Sequence, residues 1–400
     1  MELLIKSARI VDSSQDFISD VYINEGIIYE IGKTIDKDCE VIDGKGYVLA
    51  PSFIDLHSHF REPGYTYKED LLSGSKAAAR GGYTAVNLMA NTNPVCTSME
   101  IIDKVLKKAK EINLVDIHQC ASITEDLKGN SIDHLDKLTS KVKFISDDGK
   151  GVSNSKIMLL AMVKASEMNL TVISHAENEE LVEFDTRLAE NMMTWRDITL
   201  SKFTGCKLHL AHVSTKEAMK YIIEAKQQGA KVTCEVTPHH LTDTSETSYR
   251  VNPPIRETDD VSFLINAIKG GFVDVISTDH APHSTSDKKN GAPGISGLET
   301  AFPICFTKLV GEGHITLNKL SEIMSKNPSK IMGLNSGEIK IGLDADLVLL
   351  DVKTKYNIDI SKFLSKGINS PFDGKTVIGS VMCTIKAGKT IYKNPEFKSK

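Results

Sequence analysis

From about residue 51 to residue 336, short apolar runs alternate with longer stretches of helical spacing. The runs fall at 53–56, 83–89, 114–120, 142–145, 171–174, 207–211, 231–236 and 274–277. Helix-like segments follow most of them, at 67–80, 99–112, 155–168, 215–228 and 261–269. Eight such β/α units point to an α/β fold closed into a parallel (β/α)8 TIM barrel. The segment after the fifth run has the weakest helical pattern.

The two ends read differently. Leu3-Leu4-Ile5, Val21-Tyr22-Ile23, Ile27-Ile28-Tyr29 and Val41-Ile42 are short β-like runs separated by Asn-Glu-Gly and Asp-Gly turns. The tail repeats this pattern at 337–342, 345–351 and 377–385. Neither end has enough strands for a core of its own. Residues 1–50 and 337–400 are therefore expected to pair into one small β-sandwich domain beside a barrel domain at 51–336.

A parallel barrel carries its reactive groups at the C-terminal ends of its strands. His57 and His59 close the first strand. Residues two apart on a strand share a face, so both imidazoles aim at one point, which suits a divalent metal. Arg61 keeps the same parity and offers a cation for an anionic substrate. The second strand runs into Asn91, the fourth into Asp147-Asp148, the fifth into His175 and the sixth into His212. The seventh leads to Pro238-His239-His240 and the eighth to Asp279. Four histidines and two carboxylates on one rim exceed a single tetrahedral site. They suit two metals sharing a bridging carboxylate, which together generate a nucleophile at neutral pH. His118, His134 and His314 read as structural or surface residues. His209, three places before His212, reads as core, and His239 and His240 as supporting groups.

Composition excludes other classes. A net charge of −5 and a pI near 6.2 give no nucleic-acid surface. The lysines at 104–110 alternate with apolar residues as on a solvated helix face. Seven scattered cysteines without a C-x-x-C pair read as a reduced, cytoplasmic protein. The N-terminus lacks the pattern of a secretory signal, and no apolar stretch approaches the roughly 20 residues that span a bilayer.

Several longer words occur in a fixed order. They include Asp-Leu-His-Ser-His-Phe-Arg-Glu-Pro-Gly at 55–64, Ser-Asp-Asp-Gly at 146–149 and Ala-His-Val-Ser-Thr-Lys-Glu at 211–217. Glu-Val-Thr-Pro-His-His-Leu at 235–241, Asn-Pro-Pro-Ile-Arg at 252–256 and Thr-Asp-His-Ala-Pro-His at 278–283 continue the series. On these words the chain resembles, over nearly its whole length, the amidohydrolase superfamily, and within it the dihydroorotases of the long-chain bacterial type.

The resemblance implies a zinc-dependent cyclic amidase of pyrimidine synthesis, with two zinc ions per subunit. His57, His59 and Asp279 would hold one, His175 and His212 the other, and Asp148 would bridge them. The choice of Asp148 over Asp147 follows the family's spacing to His175. Asp279 would also shuttle the catalytic proton. Arg61, Asn91, Asn252 and His283 would bind substrate, with a backbone contact at Gly294. Ala-Pro-Gly-Ile at 292–295 departs from the family's Pro-Phe-Gly-Ile. The polar, glycine-rich segment 284–297 is expected to form a flap. A homodimer is the family's usual form. Two rival readings are a hydantoinase or allantoinase, and a non-catalytic subunit that holds aspartate carbamoyltransferase. The second would lack the metal ligands that this chain keeps.

Overall fold

The structure, a computed structural model, describes residues 2–397. Five strands open the chain: β1 (Glu2–Val11), β2 (Asp16–Asn24), β3 (Ile27–Gly32), β4 (Glu40–Asp43) and β5 (Val48–Pro51). Eight more follow: β6 (Phe53–Ser58), β7 (Tyr83–Leu88), β8 (Asp116–Gln119), β9 (Phe144–Ile145), β10 (Thr171–Ser174), β11 (Lys207–Leu210), β12 (Val232–Val236) and β13 (Val275–Ile276). These are the eight expected runs, the first longer by two residues and the others trimmed by a few at most. They form two parallel arcs, β6-β7-β8 and β9-β10-β11-β12-β13. Parallel bridges between Ala121 and Ile145, and between Ser58 and His280, close the arcs into a ring.

The helices pack outside this ring. They are α1 (Leu71–Arg80), α2 (Met99–Ile112), α3 (Ser155–Glu167), α4 (Thr186–Thr204), α5 (Lys216–Gln227), α6 (Pro238–Thr242), α7 (Thr258–Lys269) and α8 (Thr285–Lys289), with further helical turns from 301 to 332. Capping sets the starts. The first helix begins at 71 rather than 67 because the Asp70 carboxylate accepts the Ser73 N–H at 2.8 Å. The unclear segment after the fifth strand is α4, 19 residues long. The third unit has no α-helix, only 3₁₀ turns at Glu125–Leu127 and Asp133–Lys137.

Both termini enter one eight-stranded sheet with β14 (Leu347–Asn357), β15 (Thr376–Lys386) and β16 (Lys389–Lys393), in the order β16-β15-β14-β5-β1-β2-β3. The first half of β1 also pairs with β4, and its second half with β5. Leu49 of β5 sits opposite Leu349 of β14. Both belong to a buried cluster with Ile5, Ile10, Ile23 and Ile385. The expected run at 337–342 forms no strand. Gly337 and Gly342 both adopt positive φ, and the Ile339 N–H donates to the Asp12 carboxylate at 3.0 Å, so this stretch turns. We propose 51–336 as the barrel domain, with the flanks as the smaller one; residues 1 and 398–400 of that division lie outside the described residues. Only Ser52 separates β5 from β6, so the small sheet delivers the first barrel strand, and with it His57 and His59, in a fixed register.

Candidate metal centre

His57, His59, Asp148, His175, His212 and Asp279 come together, all buried, at the C-terminal mouth of the barrel. The His57 Nδ1–H donates to Glu235 Oε1 at 2.7 Å. Its Nε2 lone pair then faces Asp148 Oδ1 at 3.2 Å and Asp279 Oδ1 at 3.6 Å. The His59 Nδ1–H donates to Asn91 Oδ1 at 2.9 Å, which turns Nε2 toward Asp279 at 3.2 Å and Asp148 at 3.3 Å. In both histidines a bare nitrogen confronts carboxylate oxygens, acceptor against acceptor. Only a cation between them satisfies the set.

Two groups have ligand atoms within 4.8 Å of one another: His57, His59 and Asp279, and His57, Asp148 and His212. His175 Nδ1 joins the second group, 3.2 Å from Asp148 Oδ1 and 2.9 Å from His212 Nε2. Among the predicted ligands, the buried ring nitrogens His57 Nε2 and His175 Nε2 have no hydrogen-bond partner. The donor set is nitrogen and oxygen, tightly clustered and dry, and it fits divalent metal.

The protonation balance agrees. Burial disfavours charge on His57, yet the carboxylates of Asp148 and Glu235 outweigh it and raise its pKa well above the usual imidazole value. Burial pushes Asp279 upward, but the adjoining His59, His57 and His212 rings hold it below the normal carboxylate range. The carboxylates therefore favour positive charge beside His57 Nε2.

Asp147 and Asp148 separate cleanly. Asp147 accepts the Ile123 N–H at 2.7 Å, the Thr124 N–H at 3.0 Å and the Thr124 hydroxyl, so it ties two loops together outside the centre. Asp148 alone reaches the histidines. Three predicted site residues hold positive φ: Arg61 at 59°, His212 at 31° and Asp279 at 46°. Side chains rarely adopt this region, and each instance costs about 1–3 kcal/mol.

The rim carries the substrate candidates. The Arg61 Nε–H points at Pro282 O at 3.4 Å, and Nη2 lies 3.3 Å from His283 Nε2. Burial, then Arg61 and Lys68, push His283 down to about 3, so it is neutral. Burial raises the Glu177 carboxyl, but His175 and then Asn252 lower it, and the carboxylate lies 3.6 Å from His175 Nε2. His240 donates to Pro253 O at 3.0 Å and steadies the Asn252 loop. Gly294 enters as shape rather than as a donor. Its N–H is taken by Arg250 O, and its carbonyl accepts from Lys288 and Asn369. At φ +134° a Cβ there would stand 2.7 Å from Ala281 Cβ and 3.3 Å from His283 Cδ2, so only glycine lets this segment lie against His283.

Glu235 was not expected in the site. Besides His57 it accepts His209 Nε2–H at 3.1 Å, the Ser277 hydroxyl at 2.5 Å and the His212 N–H at 3.2 Å. It fixes the tautomer of one candidate ligand and the backbone of another. The sequence signal is a carboxylate inside the apolar run Val-Thr-Cys-Glu-Val. His209 is buried, as expected of a core residue, but it points to Glu235 inside the barrel.

Known proteins resemble this chain over almost its whole length. The model of the amidohydrolase family matches residues 48–391. A dihydroorotase of Clostridium botulinum (strain Eklund 17B / Type B) is 56% identical over 397 residues, covering 98% of this chain and 100% of that protein. One from Ruminiclostridium cellulolyticum is 39% identical, covering 98% of each. Among solved structures, the L-hydantoinase (dihydropyrimidinase) of Arthrobacter aurescens superposes with a TM-score of 0.92 at 24% identity, over 99% of this chain and 97% of that one, a likeness of fold. With its barrel, its histidine–carboxylate mouth and full-length relatives named dihydroorotase, the chain belongs to the amidohydrolase family.

Proposed function

We propose that this protein is a dihydroorotase, which interconverts N-carbamoyl-L-aspartate and L-dihydroorotate in pyrimidine synthesis. The observation that carries the reading is Arg61, a half-buried guanidinium held at the edge of the histidine–carboxylate cluster. A dihydroorotate ring carries a carboxylate for it to bind; a plain hydantoin ring does not. His57, His59 and Asp279 would hold one metal and His175 and His212 a second, bridged by Asp148; we assign zinc to both. When bound, the metals supply Lewis acidity and lower the pKa of water.

The remaining chemistry belongs to the side chains. Arg61, Asn252 and His283 orient the ring by its carboxylate, and Asn91 holds His59 in its tautomer. For ring opening, Asp279 accepts a proton from the attacking water and delivers it to the departing amide nitrogen as the C–N bond breaks. The closing reaction runs the same path in reverse. The test is ring opening of dihydroorotate by zinc-loaded protein. Turnover of hydantoin or allantoin in its place would refute the assignment and keep the fold. A pure protein that binds no zinc and gains no activity with it would favour the non-catalytic reading.

We also infer pairing with a second copy through the outer faces of α3 and α4. Leu188, Met192, Trp195 and Phe203 are exposed at helical spacing on α4, with Phe184 exposed in the turn before it and Leu160 and Val163 exposed on α3. With roughly 150–250 Å² for each aromatic, the seven present on the order of 700 Å². That is close to the roughly 800 Å² each partner gives a stable interface. Trp195 is the chain's only tryptophan, so its emission reads pairing directly. Emission that ignores concentration while sedimentation gives a monomer would refute this. The seven free cysteines support a reducing, cytoplasmic setting. No helix among the described residues is long and apolar enough to cross a membrane.

A further inference from the structure

Hydrogen-bond accounting around His283 leaves a gap. Its Nε2 lies 3.3 Å from Arg61 Nη2, and its Nδ1 lies 3.4 Å from Lys68 Nζ. Guanidinium and ammonium groups only donate, whereas a neutral imidazole has one N–H and one lone pair. If Nε2 accepts from Arg61, then Nδ1–H points at the Lys68 ammonium. The other tautomer only moves the conflict to Arg61. One cation therefore meets a donor in either state.

Nearby acceptors do not resolve this. Asp287 Oδ1 is 3.6 Å from Lys68 Nζ, while Oδ2 is taken by the Ser284 N–H and hydroxyl. Nor does Lys68 swing out to water. Its side chain is 17% exposed, and its ammonium lies 5.6 Å from the ring centres of both Tyr65 and Tyr67. Two cations and an imidazole are thus held together with too few acceptors, at the rim beside the histidine–carboxylate cluster.

We propose that Lys68 is the third member of a carboxylate cradle with Arg61 and His283, and that it sets the preference for a ring bearing a carboxylate. An inserted carboxylate supplies the missing lone pairs and relieves the donor–donor contact in either tautomer. This rests on the dihydroorotase reading and extends it to a residue outside the expected set. Lys68 binds, and it takes no part in bond making or breaking.

The test compares wild type, Lys68→Met and Lys68→Arg, all zinc-loaded, with dihydroorotate as substrate. Loss of a charged hydrogen bond should raise KM roughly 10- to 100-fold in Lys68→Met, with kcat within about 3-fold of wild type. Lys68→Arg should recover most of the KM. An unchanged KM in Lys68→Met would overturn the inference, as would a fall in kcat and thermal stability without a change in KM, the mark of a merely structural lysine. A wild-type protein inert toward dihydroorotate would overturn the functional reading itself, and the inference with it.

Discussion

Replacing Glu235 with glutamine isolates the charge that supports His57. The amide is nearly isosteric, so one oxygen still accepts the His57 Nδ1–H and the His212 N–H. The new NH₂ group faces His209 Nε2 and the Ser277 hydroxyl, and both can adapt. Ser277 rotates, and His209 can exchange its proton with Thr233 Oγ1, 2.8 Å from Nδ1. The fold is kept, and the negative charge behind His57 is lost. Changes to partners of metal-ligating histidines cost about 10- to 100-fold in metal affinity. That corresponds to about 1.4–2.8 kcal/mol. Alanine is the wrong probe: it strands four buried donors at about 1–3 kcal/mol each, a total comparable to a domain's whole stability. The assay is competition for zinc against a chromophoric chelator, with circular dichroism of the metal-free chain as the control for folding. We expect a folded variant whose zinc Kd rises 10- to 100-fold. A folded Glu235→Gln protein that holds zinc as tightly as wild type would refute the reasoning.

Asp279→Asn should keep much of its zinc and lose about 10²- to 10⁴-fold in kcat, the usual worth of a positioned acid–base group; metal content and turnover measured on one sample check this. Asp148→Asn should fold and lose metal, whereas Asp147→Asn should keep metal and lose about 1–3 kcal/mol of stability as its loop contacts weaken; zinc content and thermal melts separate the two. Burial, then Lys143, lowers the His118 pKa from 6.5 to about 4. The unfolded chain therefore takes up this proton first as pH falls. Stability is complete above 6.5 and declines by up to about 3 kcal/mol on the way down to 4. His118→Gln should flatten that part of the melting-temperature profile, and an unchanged slope would exclude His118 as its source.

The barrel was legible because its strands are buried on both faces and read as unbroken apolar runs between helices. Four histidines and Asp279 were legible because each falls within three residues of the end of such a run. Helix α4 was obscured by its own outer face. Leu188, Met192, Trp195 and Phe203 are apolar yet exposed, so the contrast that marks an amphipathic helix is erased. Asp147 and Asp148 are adjacent, and only the surrounding loops decide which turns inward. Glu235 and Lys68 act through contacts with residues 178 and 215 positions away, a distance over which local pattern carries no information.

The shared terminal sheet also bears on how the chain folds. Strand β5 pairs with β14, whose residues follow almost 300 positions later. During synthesis β1, β2 and β5 can associate early, but the edge awaiting β14 stays open until nearly the whole barrel has emerged. An unpaired edge of that kind is a template for other chains. The slowest and most aggregation-exposed interval should therefore come at the end of translation. A chain that stops before residue 347 should be caught by chaperones rather than accumulate as a free barrel.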